Sequence, residues 1–260
     1  MTPTTIALPM YDWPELTPAT TTFGNHLRDA LSAAGFTPAN MLSTPTDLMA
    51  HWQHPDLLLS QTCGLPYSRM LHDRVGLVGT PSYDIPSSAG QYHSVLIVPA
   101  NADTETLTDL TGACFAVNEG GSQSGFSAPM TAFQQASTTL PNSLTLKMTG
   151  SHRTSIHCVA NGEADVAGID AVTWEIACRH EPATHRVRVL RRTQQTPGLP
   201  MISALRSPDA LHRLHNAVVD AMASLDEATR DALLLLGFNA TRPRDYRALA
   251  TRFSALNRTL

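Results

Sequence analysis

The strongest constraint in the sequence is the repeated alternation of short apolar β-type runs with segments of helical periodicity. Thr5–Met10 (TIALPM) has the pattern of a strand, and residues 24–36 have apolar residues at helical spacing before Gly35, which favours a helix end. The run PDLLLSQT, residues 55–62, is apolar as in a strand buried on both faces. The alternation predicts an α/β fold with a mostly parallel sheet.

The alternation restarts once along the chain. Between about residue 100 and about residue 195 the runs form a second βαβαβ block. A Pro/Gly connector then leads to helical segments, the first capped by Ser207 with Pro208 at its first helical position. The run ALLLLGF from Ala232 is interpreted as the buried end of a further helix. A chain of 260 residues that is 42% hydrophobic fits one large domain or two modest ones.

Charge and hydropathy exclude two classes of partner. The net charge is −4 and the 18 Lys and Arg residues are spread thinly, so nucleic acid is not an expected partner. No apolar run approaches the roughly 18 residues that suggest a membrane span. The segment after Met1 has no cationic start, long apolar stretch or cleavage site, so no export signal is predicted.

Cysteines and histidines predict neither a metal centre nor a cofactor. The cysteines have no CxxC or zinc-type spacing, so we interpret them as ordinary buried thiols and predict no disulfide. The histidine pairs with i,i+3 spacing lie on polar helix faces without a carboxylate cluster. These residues are Cys63, Cys114, Cys158 and Cys178, with the pairs His51/His54 and His212/His215.

Glycines and hydroxyls are concentrated in NEGGSQSGFSAPM, residues 118–130, between a strand pattern and a helix pattern. The strand is predicted to end at Asn118 and the helix to begin between Ser124 and Ser127. Backbone N–H groups at such a junction can bind an anion. The alternative is that Ser124 or Ser127 caps the helix and the glycines form a tight turn. We expect the glycines to adopt positive φ and the serines to add hydroxyl donors; they are Gly120, Gly121, Gly125, Ser122 and Ser124.

Two further junctions in this block carry polar side chains. Ser151 and His152 lie between a strand and the next helix, and Asp170 ends a third strand. Ligands of open parallel sheets bind beyond the carboxyl ends of the strands, so all three junctions are expected to face one crevice. The alternatives are an exposed first-turn residue for His152 and a helix cap for Asp170.

The runs DLTGACFAVNEGGSQSG and GSHRTSIHCVANGEADVAGID, with PGLP, resemble the PhnD-like phosphonate, phosphite and phosphate substrate-binding proteins of ABC importers. That family usually has Ser-Thr-Ser-Gly where this chain has Ser122-Gln123-Ser124-Gly125. Its ligand histidine matches His152, and its cleft aspartate matches Asp170. The resemblance implies a two-lobed α/β fold of the type 2 periplasmic binding protein class, a Venus-flytrap with a cleft between the lobes. Lobe 1 would be discontinuous, residues 1–98 plus 200–260, and lobe 2 would span residues 99–199.

The resemblance indicates ligand contacts in the first lobe less directly. The family commonly has a Gly-Pro-Tyr type turn after its second buried strand, where this chain has SQTCGLPY. For each tyrosine the alternative is a buried ring with a satisfied hydroxyl. The first-lobe candidates are Tyr11, Gln61, Thr62, Cys63, Gly64, Tyr67 and Tyr83.

The expected function is capture of a small oxyanion without chemistry, by a monomer that serves an ABC permease and needs no cofactor or metal. Alternatives are a cytosolic enzyme or a ligand sensor of the same fold. An enzyme would require Cys63 and His152 to form a Cys/His pair. The resemblance implies a periplasmic location, whereas the lack of a leader predicts a cytoplasmic one if Met1 is the native start.

Overall fold

The structure is a computed structural model that describes residues 4–256. Met1 and residue 260, the limits of the expected first lobe, lie outside the described residues. The strands are β1 (Thr5–Ala7), β2 (Leu57–Gln61), β3 (Val75–Tyr83), β4 (Gln91–Tyr92), β5 (Ser94–Pro99), β6 (Cys114–Val117), β7 (Thr145–Met148), β8 (Val166–Asp170), β9 (Val187–Arg192), β10 (Thr196–Pro197), β11 (Met201–Ala204) and β12 (Leu235–Asn239). The helices are α1 (Thr17–Ala33), α2 (Leu48–Trp52), α3 (Gly64–Pro66), α4 (Ala128–Ala136), α5 (Leu140–Ser143), α6 (His152–Ala160), α7 (Ala171–His180), α8 (Pro208–Ala223), α9 (Glu227–Ala232) and α10 (Pro243–Leu256).

The described chain packs as two compact units. The first contains the residues up to Asp84 together with 88–91 and 197–247, and the second contains 85–87, 92–196 and the residues from Ala248 onward. The expected lobe boundaries instead put residues 92–98 and the whole C-terminal helix in the first lobe. Two contacts explain the difference: β5 pairs with β8 and β9, and Phe253 packs against Phe126 with ring centroids 6.3 Å apart.

The first unit is built on a five-stranded sheet in the order β1-β2-β11-β3-β12. Helix α1 packs against this sheet because its residues at helical spacing, among them Phe23, Leu27 and Leu31, are apolar and buried. Helix α1 is followed, as predicted, by Gly35 with φ of +82°. The cap of α8 is also confirmed, since Ser207 Oγ accepts a hydrogen bond from Ala210 N.

The prediction of a helix for ALLLLGF was wrong. Helix α9 ends at Ala232, Leu234 turns the chain with φ of +56°, and β12 then pairs antiparallel with β3. The apolar run fits either state, and pairing along the free edge of β3 decides the outcome.

The second unit contains a sheet in the order β7-β6-β8-β5-β9, and β4 and β10 form a separate short pair. Strand β6 runs parallel to β7 and β8, whereas β5 is antiparallel to β8 and β9. In the first unit β1 and β2 are parallel, and β11 is antiparallel to β2 and β3. The prediction of mostly parallel sheets was therefore wrong. Strands β5 and β11 enter without a preceding crossover helix, so nothing forces them into the parallel direction.

Candidate functional site

Three polar junctions of the second unit follow three neighbouring strands. Because β7, β6 and β8 are adjacent and parallel, the junctions after Met148, Val117 and Asp170 lie along one edge of the sheet. The chain enters a helical segment after each of them: α6, a turn that leads into α4, and α7. This edge therefore collects helix N-terminal N–H groups, which carry partial positive charge.

The glycine and serine junction folds into a π-helical turn, Gln123–Ser127, before α4 begins at Ala128. Strand β6 ends at Val117 and the helical turn starts at Gln123, each one residue earlier than predicted. Ser122 is extended, and its Oγ accepts a hydrogen bond of 3.0 Å from Gly125 N. Ser122 thus caps the turn, whereas the alternative interpretation assigned the cap to Ser124 or Ser127.

The prediction of positive φ at Gly120, Gly121 and Gly125 was wrong, since none of the three has it. Gly125 is required for space instead. A Cβ there would lie 1.7 Å from Oδ1 of Asn118 and 3.1 Å from Cε1 of His152. The helical turn keeps the backbone in the ordinary right-handed region and brings Gly125 against these two side chains.

Ser124 and His152 are brought together, as the sequence predicted for one site. Ser124 Oγ and His152 Nε2 are 2.9 Å apart in a hydrogen bond whose direction depends on the imidazole tautomer. The histidine side chain is half-buried, yet its Nδ1 is enclosed and makes no hydrogen bond of normal geometry to any described residue. Burial lowers the pKa of His152 to about 4, while the backbone of Gly168 acts in the opposite direction. The imidazole is therefore neutral at physiological pH.

The side chain of Gln123 points away from the Ser124–His152 pair. The residue is 2% exposed and lines a small cavity of about 10 Å³ with Thr193, Thr196 and Arg252. Its Oε1 has no hydrogen-bond partner among residues 4–256. A cavity of this size has room for at most a single water molecule.

Asp170 is the N-cap of α7. Its Oδ1 accepts hydrogen bonds from Val172 N at 2.9 Å and Thr173 N at 3.0 Å, and the residue is buried. The helix-cap alternative thus describes the contacts of Oδ1. Two residues earlier in β8, Gly168 has so little space that a Cβ would lie 2.3 Å from Pro129 Cγ.

The first unit brings three of its candidates into contact. Gln61 Nε2 donates a 2.9 Å hydrogen bond to Tyr83 Oη at the end of β2. The Tyr11 ring packs edge-on against the Tyr83 ring with centroids 5.3 Å apart. These residues form a cluster that combines two aromatic rings with an amide.

The remaining candidates follow β2 directly. Thr62 is fully buried and its N–H donates to Pro200 O, whereas Cys63 is partly exposed and precedes α3, which begins at Gly64. Tyr67 starts a π-helical turn and is fully buried. Burial, with a smaller contribution from Asp73, raises the pKa of Tyr67 to about 12. Its hydroxyl has no hydrogen-bond partner in the described part of the chain.

One residue beside the site was missed by the sequence analysis. Asn118 was assigned only as the strand end, yet its side chain fills the space beside Gly125. Its Oδ1 is buried and has no hydrogen-bond partner within residues 4–256. The available signal was a carboxamide immediately after a buried strand, at the position from which ligand-facing groups of such sheets project.

Two α/β units with mixed sheets, and an edge rich in hydroxyls and helix N-termini, are the features of a solute-binding protein of the type 2 periplasmic binding protein fold. The sequence profile described as "ABC transporter, phosphonate, periplasmic substrate-binding protein" matches residues 8–247. The chain belongs to this phosphonate-binding family, which confirms the resemblance seen in the sequence. A search of curated protein sequences found no match.

Solved structures share the fold at low sequence identity. PhnD1 from Prochlorococcus marinus in complex with methylphosphonate has a TM-score of 0.76 and 15% identity, over 98% of both chains. XAC2383 from Xanthomonas citri bound to ATP has a TM-score of 0.71 and 16% identity, again over 98% of both chains. A binding protein component of an ABC phosphonate transporter from Pseudomonas aeruginosa has a TM-score of 0.69 and 13% identity, over 98% of this chain and 87% of that one.

Membership of the family confirms the expected class of function. The family is the solute-binding component of a transporter, so the protein is a binding protein for uptake and not an enzyme. The family is periplasmic, and its members bind small ligands and work with ABC transporter permeases. In the part of the chain that the structure describes, no helix is both long enough and apolar enough to cross a bilayer.

Proposed function

We propose that the protein binds a phosphonate or a closely related small oxyanion at the sheet edge formed by the Ser122–Gly125 turn and His152. The observation that carries the proposal is the hydrogen bond between Ser124 Oγ and the neutral imidazole of His152, at the first turns of two helical segments. Asp170 belongs to the proposed site by its position at the end of β8. Gln123 belongs to it through its backbone N–H, because its side chain faces a separate cavity.

The chemistry of the pair suits an anion. When His152 Nε2–H donates to Ser124 Oγ, the hydroxyl hydrogen of Ser124 remains available for a ligand oxygen. Backbone N–H groups of the two helical N-termini supply further donors. A micromolar affinity corresponds to about 8 kcal/mol. Hydrogen bonds to charged groups contribute about 1.5–3 kcal/mol each, so four or five such bonds suffice.

We propose a second set of ligand contacts in the first unit, centred on Tyr11, Gln61 and Tyr83. Their mutual contacts fix both rings and orient the amide, which suits recognition of the organic part of a ligand. Thr62, Cys63 and Tyr67 are weaker members of this set, because Thr62 and Tyr67 are fully enclosed.

The ligand is tested by thermal unfolding with phosphate, phosphite, methylphosphonate, ATP, sulfonates and carboxylates. A specific ligand at 100 times its Kd raises the free energy of unfolding by about 2.7 kcal/mol. Calorimetry should then show that Ser124→Ala and His152→Asn each weaken binding by about tenfold or more. Matched controls are Ser32→Ala and His212→Asn on exposed helix positions. Equal affinity in all four variants would contradict the proposed site.

For the partner and location we propose a periplasmic monomer that docks on an ABC permease, as its family does. Light scattering of the purified protein should give a mass near 28.0 kDa, that of one chain. Fractionation of cells that express the native gene should recover the protein from the periplasm. A stable dimer or a cytoplasmic fraction would overturn the corresponding part of the proposal.

A further inference from the structure

Two cysteines of the second unit lie in β6, which precedes the turn that carries Ser124, and in α6, which begins at His152. Cys114 is the first residue of β6, and Cys158 lies in the last turn of α6. Helix α6 connects β7 to β8, the two strands that flank β6. It packs against several strands of the sheet, among them β5, β6 and β8. In the register of β6 and β7, Cys114 is paired with Thr145, and Ala116 with Lys147. Paired residues of parallel strands point to the same face, so Cys114 and Lys147 share one face of the sheet.

Both thiols contact Glu163, in the loop that follows α6. Cys114 Sγ lies 3.9 Å from the Glu163 carbonyl oxygen, and Cys158 Sγ lies 3.9 Å from Glu163 Oε2. Lys147 Nζ donates to the same two oxygens, at 3.4 Å and 2.7 Å. Both sulfur atoms therefore lie beside Glu163, whose oxygens also accept hydrogen bonds from the Lys147 ammonium group.

The backbone ties the two cysteines to one short segment. Glu163 N and Ala164 N both donate to Cys158 O, and Asp165 N donates to Cys114 O. Cys114 N in turn donates to Asp165 Oδ2 at 2.7 Å. The two cysteines thus flank the same three residues, 163–165. A disulfide needs Cα atoms within about 7 Å, so the bond requires both cysteines to approach each other across this shared segment.

We propose that Cys114 and Cys158 form an intramolecular disulfide when the protein is in an oxidising environment. Cys114 is partly exposed and can meet an oxidant, whereas Cys158 is buried beside it. Burial raises the pKa of Cys158, the Lys147 ammonium acts in the opposite direction, and Glu163 and Cys114 raise the pKa by smaller amounts. The bond would join the start of β6 to the end of α6. The chemistry is independent of the proposed ligand, and only its occurrence in the cell rests on the proposed periplasmic location.

The oxidation is a thiol–disulfide exchange with a small disulfide such as oxidised glutathione. The Cys114 thiolate attacks one sulfur of the oxidant, which forms a mixed disulfide and releases one glutathione thiolate. The Cys158 thiolate then attacks the Cys114 sulfur, and the second glutathione thiolate leaves. The two thiol protons of the protein end on the two glutathione molecules. The protein loses two electrons, and one oxidised glutathione is reduced to two thiols.

The test equilibrates the full chain with oxidised or reduced glutathione, denatures it, alkylates free thiols and maps the peptides by mass spectrometry. Oxidation should remove two of the four alkylatable thiols and link the peptides that contain Cys114 and Cys158. The oxidised protein should also unfold several degrees higher, since the bond closes a long loop. Cys114→Ser and Cys158→Ser should each abolish the linked peptide and the shift in unfolding temperature.

Cys178→Ser is the matched control, because Cys178 lies in the exposed last turn of α7 and its removal should leave the linkage intact. Four alkylatable thiols in the oxidised wild type would overturn the proposal. So would linked peptides that contain Cys63 or Cys178, or a linkage between two copies of the chain. The peptide map of the wild type decides the matter even where a serine variant fails to fold.

Discussion

The turn that follows β2 and the turn that follows β6 share a backbone design and differ in their side chains. In each, an extended residue precedes a helical segment beyond a buried strand. Cys63 in the first unit precedes α3, which leads into a π-helical turn at Tyr67, and Ser122 in the second unit directly precedes a π-helical turn. After β6 the extended residue caps its own turn, whereas no side-chain cap is found at Cys63 within the described structure. The turn after β2 continues into the enclosed ring of Tyr67, and the turn after β6 presents Ser124 to His152.

The difference shows which groups of such a turn distinguish a ligand-binding turn from a structural one. The backbone supplies N–H groups in both units, because both turns begin a helical segment. Only the turn after β6 adds a hydroxyl that is paired with a neutral imidazole. The anion-binding role we propose therefore depends on side chains that belong to the second unit. The comparison can be tested by perturbing each turn separately.

The largest expected effect is the pH dependence of the free energy of unfolding that results from His152, beside the turn after β6. Its pKa is about 4 in the folded chain and about 6.5 when unfolded, so the unfolded state binds more protons between these values. The free energy of unfolding should fall as the pH drops from about 6.5 to about 4, by about 3 kcal/mol from this group. Urea unfolding of the wild type and of His152→Asn at several pH values measures the contribution.

His152→Asn serves as the reference because all other titrating groups remain in it. The difference between wild type and variant should change across the window from pH 6.5 to 4 and be constant above pH 7. Parallel pH profiles for the two proteins would show that the imidazole is not held neutral by burial. The comparison of the two turns would then lose its main electrostatic basis.

The next effect concerns the space at Gly125. Gly125→Ala places a methyl group against Asn118 and His152, so we expect a loss of about 1–3 kcal/mol in the free energy of unfolding and the loss of anion binding. Gly121→Ala is the control in the same loop, because the nearest atom to its Cβ would be 3.9 Å away. Removal of the clashing amide in Gly125→Ala/Asn118→Ala should restore part of the stability. Equal costs at both glycines would contradict a steric role for Gly125.

These predictions use contacts that can be predicted from the sequence only in part. Local signals sufficed for the α/β alternation, the cap at Ser207 and the position of the turn after β6, since each depends on neighbouring residues. The strand β12 could not be predicted, because an apolar run becomes a strand there only through its pairing with β3. The association of the glycine density with a site stays a prediction, whereas the expected positive φ at these glycines was wrong. Gly125 is small because Asn118 lies beside it, and such contacts do not follow from sequence spacing.

A smaller effect separates the two roles of Asp170. Asp170→Ala removes the cap of α7 and should lower the free energy of unfolding by about 1 kcal/mol. Asp170→Asn should keep the cap, because asparagine is also a good N-cap residue. Chemical unfolding of both variants checks this order. If Asp170→Asn is as stable as the wild type but binds methylphosphonate about tenfold differently, the carboxylate also contacts the ligand. Unchanged affinity would contradict a contact between the carboxylate and the ligand.

The smallest effect is expected at Tyr67, in the turn after β2. Its hydroxyl is enclosed without a hydrogen-bond partner among the described residues, so Tyr67→Phe should change the free energy of unfolding by less than about 0.5 kcal/mol. Tyr246→Phe is the matched control, since the two rings pack 5.1 Å apart and Tyr246 Oη bonds to Thr80 Oγ1 and Gly198 O. That control should cost about 1–2 kcal/mol, because it leaves buried partners unsatisfied. Calorimetric titration of both variants completes the comparison. An affinity loss in Tyr67→Phe alone would mean that the turn after β2 also offers a hydroxyl to the ligand, as we propose for the turn after β6.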